Sequence, residues 1–332
     1  MALNERNYFR IDPLSEPVPA DWRGGVLSFG NFDGVHRGHA AILATARRLA
    51  TELNSRVVAV TFDPAPAALL RPQHPFPPLT TIPERAALLR AAGADHVVVF
   101  RTSRNLLDLS PAEFYEQVIV RSFAALGVVE GISFRFGKDR AGTDETLRQF
   151  GELWGIATVT CVPILHRGRP VSSSRIRAAV QKGDVREAAA MLGRAYAIEG
   201  AVVSGAGRGR ELGFPTANLA EIATLVPASG VYAGRAGTGP AATHPAAIHV
   251  GAALTFGEET AAVEVHLIGF SGDLTGERLR VEFFERLRDS RRFDSADALR
   301  RQLEEDVREA SRIVADWRCP DLVASPTEET AA

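Results

Sequence analysis

Two periodicities divide this chain. Up to about residue 183, short apolar runs alternate with helical patterns. Val26-Leu27-Ser28 precedes a segment in which Ile42, Leu43, Ala46 and Leu49 share one helical face. Arg56–Thr61, His96–Phe100, a run opening at Val128 and Val129, and Ala157–Val162 read as buried strands. Between them lie helical patterns from Pro83 to Gly93, over Ala112–Phe123, and behind a Thr143 cap with Leu147, Phe150 and Trp154 in step. Repeated strand-helix-strand order predicts a parallel sheet with helices on both faces.

Beyond residue 183 the pattern changes. A short helix over Asp184–Leu192 leads into strand-like stretches at Ala197–Ser204, Val231–Arg235, Ala246–Val250, Ala262–Ile268 and Arg278–Phe284. Strands without intervening helices predict an antiparallel sheet or small barrel. Ser295 then caps a long amphipathic helix carrying Leu299, Leu303, Val307, Ala310 and Val314. The division is therefore 1–183, an α/β domain; 184–318, a β domain with a C-terminal helix; and 319–332, a small and polar tail.

Composition narrows the function. The chain has 332 residues, 38 basic and 40 acidic, for a net charge of −2. That balance gives no general attraction to nucleic acid or an anionic membrane. No run approaches the ~18 apolar residues of a membrane span. Two distant cysteines, Cys161 and Cys319, fit a reducing cytoplasm rather than a disulfide framework. Small-molecule partners are the expectation, and the oligomeric state is not legible.

The most informative segment is Phe29-Gly-Asn-Phe-Asp-Gly-Val-His-Arg-Gly-His39, a glycine-rich turn between strand and helix. Gly30, Gly34 and Gly38 allow a close backbone approach. A helix N-terminus favours an anion. His36 and His39 add ring donors behind Asn31, Phe32 and Asp33. Capping or packing histidines are the plainer alternative. Zinc is disfavoured, because no cysteine or third His lies nearby. Ser172–Arg177 opens another helix. Its hydroxyls can cap, and Arg177 is either a phosphate ligand or a solvated surface arginine.

In the second domain, Gly205–Asn218 reads as a flexible cationic loop that includes Arg210, Gly213 and Pro215. Thr216 and Asn218 offer hard oxygens to Mg²⁺, or simply cap a hairpin. Glu264 interrupts an apolar strand. It is a general-base candidate if it faces a cleft, and a solvent-facing residue otherwise.

In this order the motifs resemble the bacterial bifunctional riboflavin kinase/FAD synthetase family, from about Gly25 to about Trp317. Phe29–His39, Arg135-Phe-Gly137 and Ser172–Arg177 look like its adenylyltransferase segments. Gly209-Arg-Glu-Leu-Gly-Phe-Pro-Thr-Ala-Asn218 resembles its flavokinase signature closely, and Gly230–Ala233, Val263–Leu267 and Asp273–Gly276 extend the likeness. The resemblance implies a Rossmann-like nucleotidyltransferase domain and a β-barrel riboflavin kinase domain. ATP would be co-substrate, Mg²⁺ the metal, and riboflavin, FMN and FAD the substrates and products. By the same resemblance, Glu264, His36 and His39 are catalytic, and Thr216 and Asn218 hold the metal. Gly30, Asn31, Phe32, Asp33, Gly38, Ser173, Ser174, Arg177, Gly205, Arg210, Gly213, Pro215 and Asn218 would bind nucleotide. Phe62, Phe134 and Arg288 would bind flavin. The chain departs from the family pattern at Ala65, at Ile132-Ser133, over His249–Phe256 and at Thr275. An alternative reading is an FMN-forming kinase whose adenylyltransferase module is weakened or inactive.

Overall fold

A computed structural model describes residues 8–73, 77–205, 208–239, 242–251 and 262–322. It divides into two compact units, Met1–Phe76 with Thr80–Val171, and Pro77–Leu79 with Ser172–Ala332.

The first unit is built on six parallel strands: β1 (Phe9–Ile11), β2 (Val26–Phe29), β3 (Val57–Asp63), β4 (His96–Arg101), β5 (Gly127–Gly131) and β6 (Ala157–Cys161). They lie in the order β1-β4-β3-β2-β5-β6. Every residue of β2 is buried. Alternation sends Leu27 and Phe29 to one face, where they pack with Phe100, Phe114, Phe123 and Val128. Val26 goes to the other face, against Leu43 and Ala46 of α1 (Arg37–Glu52) and Leu89 of α3 (Ile82–Ala91). Helices thus cover both faces, as the alternating pattern predicts. The short helices α2 (Pro66–Leu70), α4 (Arg104–Asp108) and α5 (Pro111–Phe114) and the longer α6 (Asp144–Trp154) complete the connections. The helix expected over Ala112–Phe123 begins as α5 and widens into π-type hydrogen bonding over Tyr115–Ser122.

Strand order reverses around β2: β3 and β4 extend to one side of it, and β5 and β6 to the other. Open parallel sheets bind ligands at such a switch point, beyond the carboxyl ends of the strands. The Gly30–His36 connection starts there. A two-residue hairpin, β7 (Leu165–His166) with β8 (Arg169–Pro170), ends this unit.

The second unit opens with α7 (Ser173–Gln181) and α8 (Val185–Leu192), which pack on each other. The compact units therefore separate at Val171, ahead of the composition change near 183. A closed barrel follows, in the order β10-β13-β12-β11-β14-β9. Its strands are β9 (Tyr196–Val203), β10 (Ala217–Ala220), β11 (Gly230–Gly237), β12 (Thr243–Val250), β13 (Val263–Leu267) and β14 (Arg278–Arg288). The short helix α9 (Arg208–Glu211) lies between β9 and β10, and the long α10 (Ala296–Asp316) packs on β11, β12 and β14. Within β13, Val263, Val265 and Leu267 are buried while Glu264 and His266 are half-buried.

β10 corrects the sequence reading, which took Gly205–Asn218 as loop throughout. Ala-Asn-Leu-Ala has little strand propensity of its own. Antiparallel pairing to both β9 and β13 imposes the strand. β1 is a second strand the pattern did not reveal; its three residues pair with β4. Most of the expected tail, and the stretch from 252 to 261 that holds part of His249–Phe256, fall outside the described residues.

Candidate functional site

The first candidate site is the turn between β2 and α1. Two histidines cap α1 reciprocally: His36 Nδ1 accepts from the His39 amide, and His39 Nδ1 accepts from the His36 amide, both at 3.3 Å. The rings stack with centroids 3.6 Å apart and planes 15° from parallel. A ring whose Nδ1 accepts carries its proton on Nε2 when neutral. The cap thus turns two Nε2–H donors away from the backbone they satisfy. Gly38 leaves the His36 ring room, since a Cβ there would meet it at 3.0 Å.

A buried polar network holds the turn from below. Asp33 and Arg85 form an ion pair at 3.0 Å, with side chains 7% and 6% exposed. Asp33 Oδ1 also accepts from the Thr80 amide at 3.1 Å and its hydroxyl at 3.2 Å. Thr80 Oγ1 accepts from the Gly34 amide, and Thr61 Oγ1 donates to the Asn31 carbonyl. Asp33 and Phe32, expected at the nucleotide, are buried; Asn31 is exposed. Phe32 meets the edge of the His39 ring at 5.0 Å, and both Phe32 and Gly34 hold positive φ. Gly30 is half-buried and donates to the Val60 carbonyl.

Thr61, Thr80 and Arg85 carry no motif and were not anticipated. Neither was Glu130, the last buried residue of β5. Its Oε1 accepts from the Phe29 amide at 2.5 Å, at the switch point. Burial pushes this carboxyl well above the ordinary carboxylate range. Phe62 and Phe134 are half-buried and pack edgewise on Phe100 and flat on Phe136, respectively. Ser173, Ser174 and Arg177 lie on α7 of the second unit. Ser172 supplies the cap there, leaving Ser173 half-buried and Ser174 exposed in the first turn, with Arg177 one turn further on.

The barrel carries the second site. Two cavities, of about 450 and 510 Å³, share Thr216 and Asn218 in their walls. Glu264 and His266 line the first, with Leu299, Leu303 and Val307 of α10 opposite. Gly205, Arg210, Pro215 and the 270–275 turn line the second. Asn218 and Glu264 are register partners across β10 and β13. Gly205 gives the Asn218 side chain room, because a Cβ there would lie 2.0 Å from Nδ2. Gly213 takes φ +88° behind α9, and the Pro215 carbonyl pairs with His266 Nδ1 at 2.8 Å. Thr275 donates its amide and hydroxyl to Asp273 and, with Arg210 nearby, holds that carboxyl below its usual range. Of the two readings of Glu264, the structure favours the cleft-facing one.

Arg288 also lines the first cavity, but its donors are committed. Nε and Nη2 hold Asp306 of α10, Nη2 at 2.6 Å, while Nη1 donates to the Asp289 carbonyl. It ties α10 to the barrel rim. No group of three His, Cys, Asp or Glu side chains among the described residues could hold a metal. Thr216 and Asn218, which line both cavities, nonetheless offer hydroxyl and amide oxygens of the kind a hard divalent cation accepts.

Comparison with known proteins agrees with both halves. The FAD synthetase family matches residues 18–175 and the riboflavin kinase family residues 192–314. A bifunctional riboflavin kinase/FMN adenylyltransferase of Pseudomonas fluorescens is 36% identical over 88% of this chain and 94% of its own length. The Bacillus subtilis protein of the same description is 33% identical over 88% and 93%. A crystal structure from Streptococcus pneumoniae, described as a macrolide-efflux protein, superposes with a TM-score of 0.84 at 30% identity. It covers 94% of this chain and 99% of its own. No described helix here is long and apolar enough to cross a membrane. With both halves matched in order and relatives aligned over nearly their full length, the chain belongs to the bifunctional riboflavin kinase/FMN adenylyltransferase family.

Proposed function

We propose that the barrel phosphorylates riboflavin with ATP to give FMN, and that the sheet unit joins FMN to AMP from a second ATP, giving FAD and pyrophosphate. The observation that carries the first step is the pair of cavities meeting at Thr216 and Asn218, with Glu264 on one side only. Such a wall has flavin on one side and nucleotide on the other. The transferred phosphoryl then passes beside the residues that separate them.

Bound at Thr216 and Asn218, Mg²⁺ would neutralise phosphate charge. Glu264 accepts the proton of the riboflavin 5′-hydroxyl, whose oxygen attacks the γ-phosphorus as ADP leaves. Gly205, Arg210, Gly213 and Pro215 shape the nucleotide side. In the sheet unit, the Nε2–H groups of His36 and His39 stabilise charge on the reacting phosphates, with helix N-terminal amides beside them. Gly30, Asn31 and Gly38 seat the nucleotide, and Phe32 and Asp33 hold the turn in shape. Ser173, Ser174 and Arg177 are assigned to nucleotide on motif alone. Phe62 and Phe134 are assigned to the isoalloxazine ring as half-exposed aromatic surfaces.

Glu264→Gln keeps size and polarity but removes the base. FMN formation should fall by roughly 10²–10⁴-fold, with riboflavin binding, read by flavin fluorescence, retained. Chelation of divalent metal should stop both reactions. Unchanged turnover in E264Q would remove Glu264 from the mechanism.

A further inference from the structure

The barrel register places five residues in one transverse row. Asn218 of β10 pairs with Glu264 of β13, Glu264 with His249 of β12, His249 with Val231 of β11, and Val231 with Arg288 of β14. Directly paired residues project to the same side of a sheet, and all five line the first cavity. Strands lie about 4.8 Å apart, so the path along the curved barrel wall from Asn218 through Glu264, His249 and Val231 to Arg288 is roughly 19 Å.

The two ends of this row differ. The Asn218–Glu264 end adjoins the second cavity, where phosphoryl transfer is assigned. The other end is apolar Val231 beneath α10, closed by an Arg288 whose charge is matched by Asp306. A flavin with its terminal hydroxyl at Glu264 and its ring toward the apolar end must run its chain past His249. That side chain is half-buried, about one strand spacing from the base. Its Nε2 lies 3.2 Å from Ser290 Oγ, and Ser290 Oγ lies 3.3 Å from Ser229 Oγ. The ring is thus fixed on one edge, while Nδ1 has no partner among the described residues.

We propose that His249 is a substrate-binding residue of the kinase reaction, its imidazole hydrogen-bonding the inner hydroxyls of the polyol chain carried by the flavin. It would fix the chain so that the terminal hydroxyl meets Glu264, and it would select flavins with a hydroxylated chain. The inference rests on the kinase reading of the barrel. Its chemistry is recognition only: no bond forms or breaks at His249.

The test compares two substrates at saturating ATP and Mg²⁺. One is riboflavin. The other is an isoalloxazine bearing a 5-hydroxypentyl chain, which keeps the terminal hydroxyl and lacks the inner ones. Wild type should prefer riboflavin. In His249→Ala, kcat/KM for riboflavin should fall about tenfold, that for the hydroxypentyl flavin should hold, and KM for ATP should not move. His249→Gln, which can still donate and accept, should keep part of the preference. Equal losses on both flavins would assign His249 a structural role and overturn the proposal, as would an unchanged preference. Binding of both flavins, followed by fluorescence quenching in wild type and H249Q, gives the same comparison if H249A does not fold. Should wild type phosphorylate neither flavin, the kinase reading fails separately. The binding preference then still decides: its loss on substitution supports a polyol contact, and its persistence removes it.

Discussion

Replacing Arg85 with Met removes a positive charge paired with the buried Asp33 carboxylate. Both side chains are less than a tenth exposed. The substitution deletes the 3.0 Å bond to Asp33 and longer bonds from the guanidinium to Thr80 and Thr61. Asp33 keeps the Thr80 amide and hydroxyl, two neutral donors that do not replace the lost guanidinium charge. Breaking a buried pair from one side costs roughly 3–5 kcal/mol, because the remaining charge is uncompensated. That is a large share of the ~5–15 kcal/mol that holds a domain together. Hydrogen exchange read on peptides covering β2 and β3 separates this unit from the barrel. Protection there should drop by about that amount, and FAD formation should fall while FMN formation persists. Asp33→Asn combined with Arg85→Met leaves no charge buried, so the double variant should be more protected than R85M alone. Protection within 1 kcal/mol of wild type in R85M, or a double variant no better than the single, would refute this account of the turn.

Three further outcomes are expected. His36→Ala removes an N-cap, worth about 1 kcal/mol, and one phosphate donor; chromatography should show FAD formation lost and FMN formation spared. Glu130 has a native pKa raised by burial, so the folded unit holds a proton that the unfolded chain releases above about 4.5. Its contribution is fully present below that pH and is lost as pH rises through the native value. Urea titrations of the first unit across that range should flatten in Glu130→Gln, and an unchanged pH slope would count against the buried neutral carboxyl. Asp306→Ala frees α10 from the Arg288 clamp, so the riboflavin KM should rise more than the ATP KM. A selective ATP effect would place the clamp at the wrong cavity.

Most of the architecture is legible in the pattern of apolar positions. The parallel strands, the later run of strands and the final helix all follow from periodicity, because one-sided burial imposes it. Strands held chiefly by their neighbours are not legible: Phe9–Ile11 and Ala217–Ala220 are too short to show a period. The site residues divide the same way. Glycines and histidines in a turn announce themselves, and Glu264 is conspicuous against apolar neighbours. Thr80 and Arg85 reach Asp33 from 47 and 52 residues away, and local sequence carries no trace of that contact. His249 gains its meaning only from register, by standing opposite Glu264. Arg288 is expected at the flavin from the resemblance alone, and its bidentate bond to Asp306, which depends on how α10 docks, is invisible in the local sequence.

The most direct test of the account is a time course of the purified protein with riboflavin, ATP and Mg²⁺, with flavins resolved by chromatography. The account predicts that FMN rises first and then gives way to FAD, and that supplying FMN at the start yields FAD without delay. FMN that accumulates without FAD, even when FMN is the starting flavin, would contradict the role assigned to the Phe29–His39 turn. No conversion of riboflavin at all would contradict the reading of the two cavities at Thr216 and Asn218.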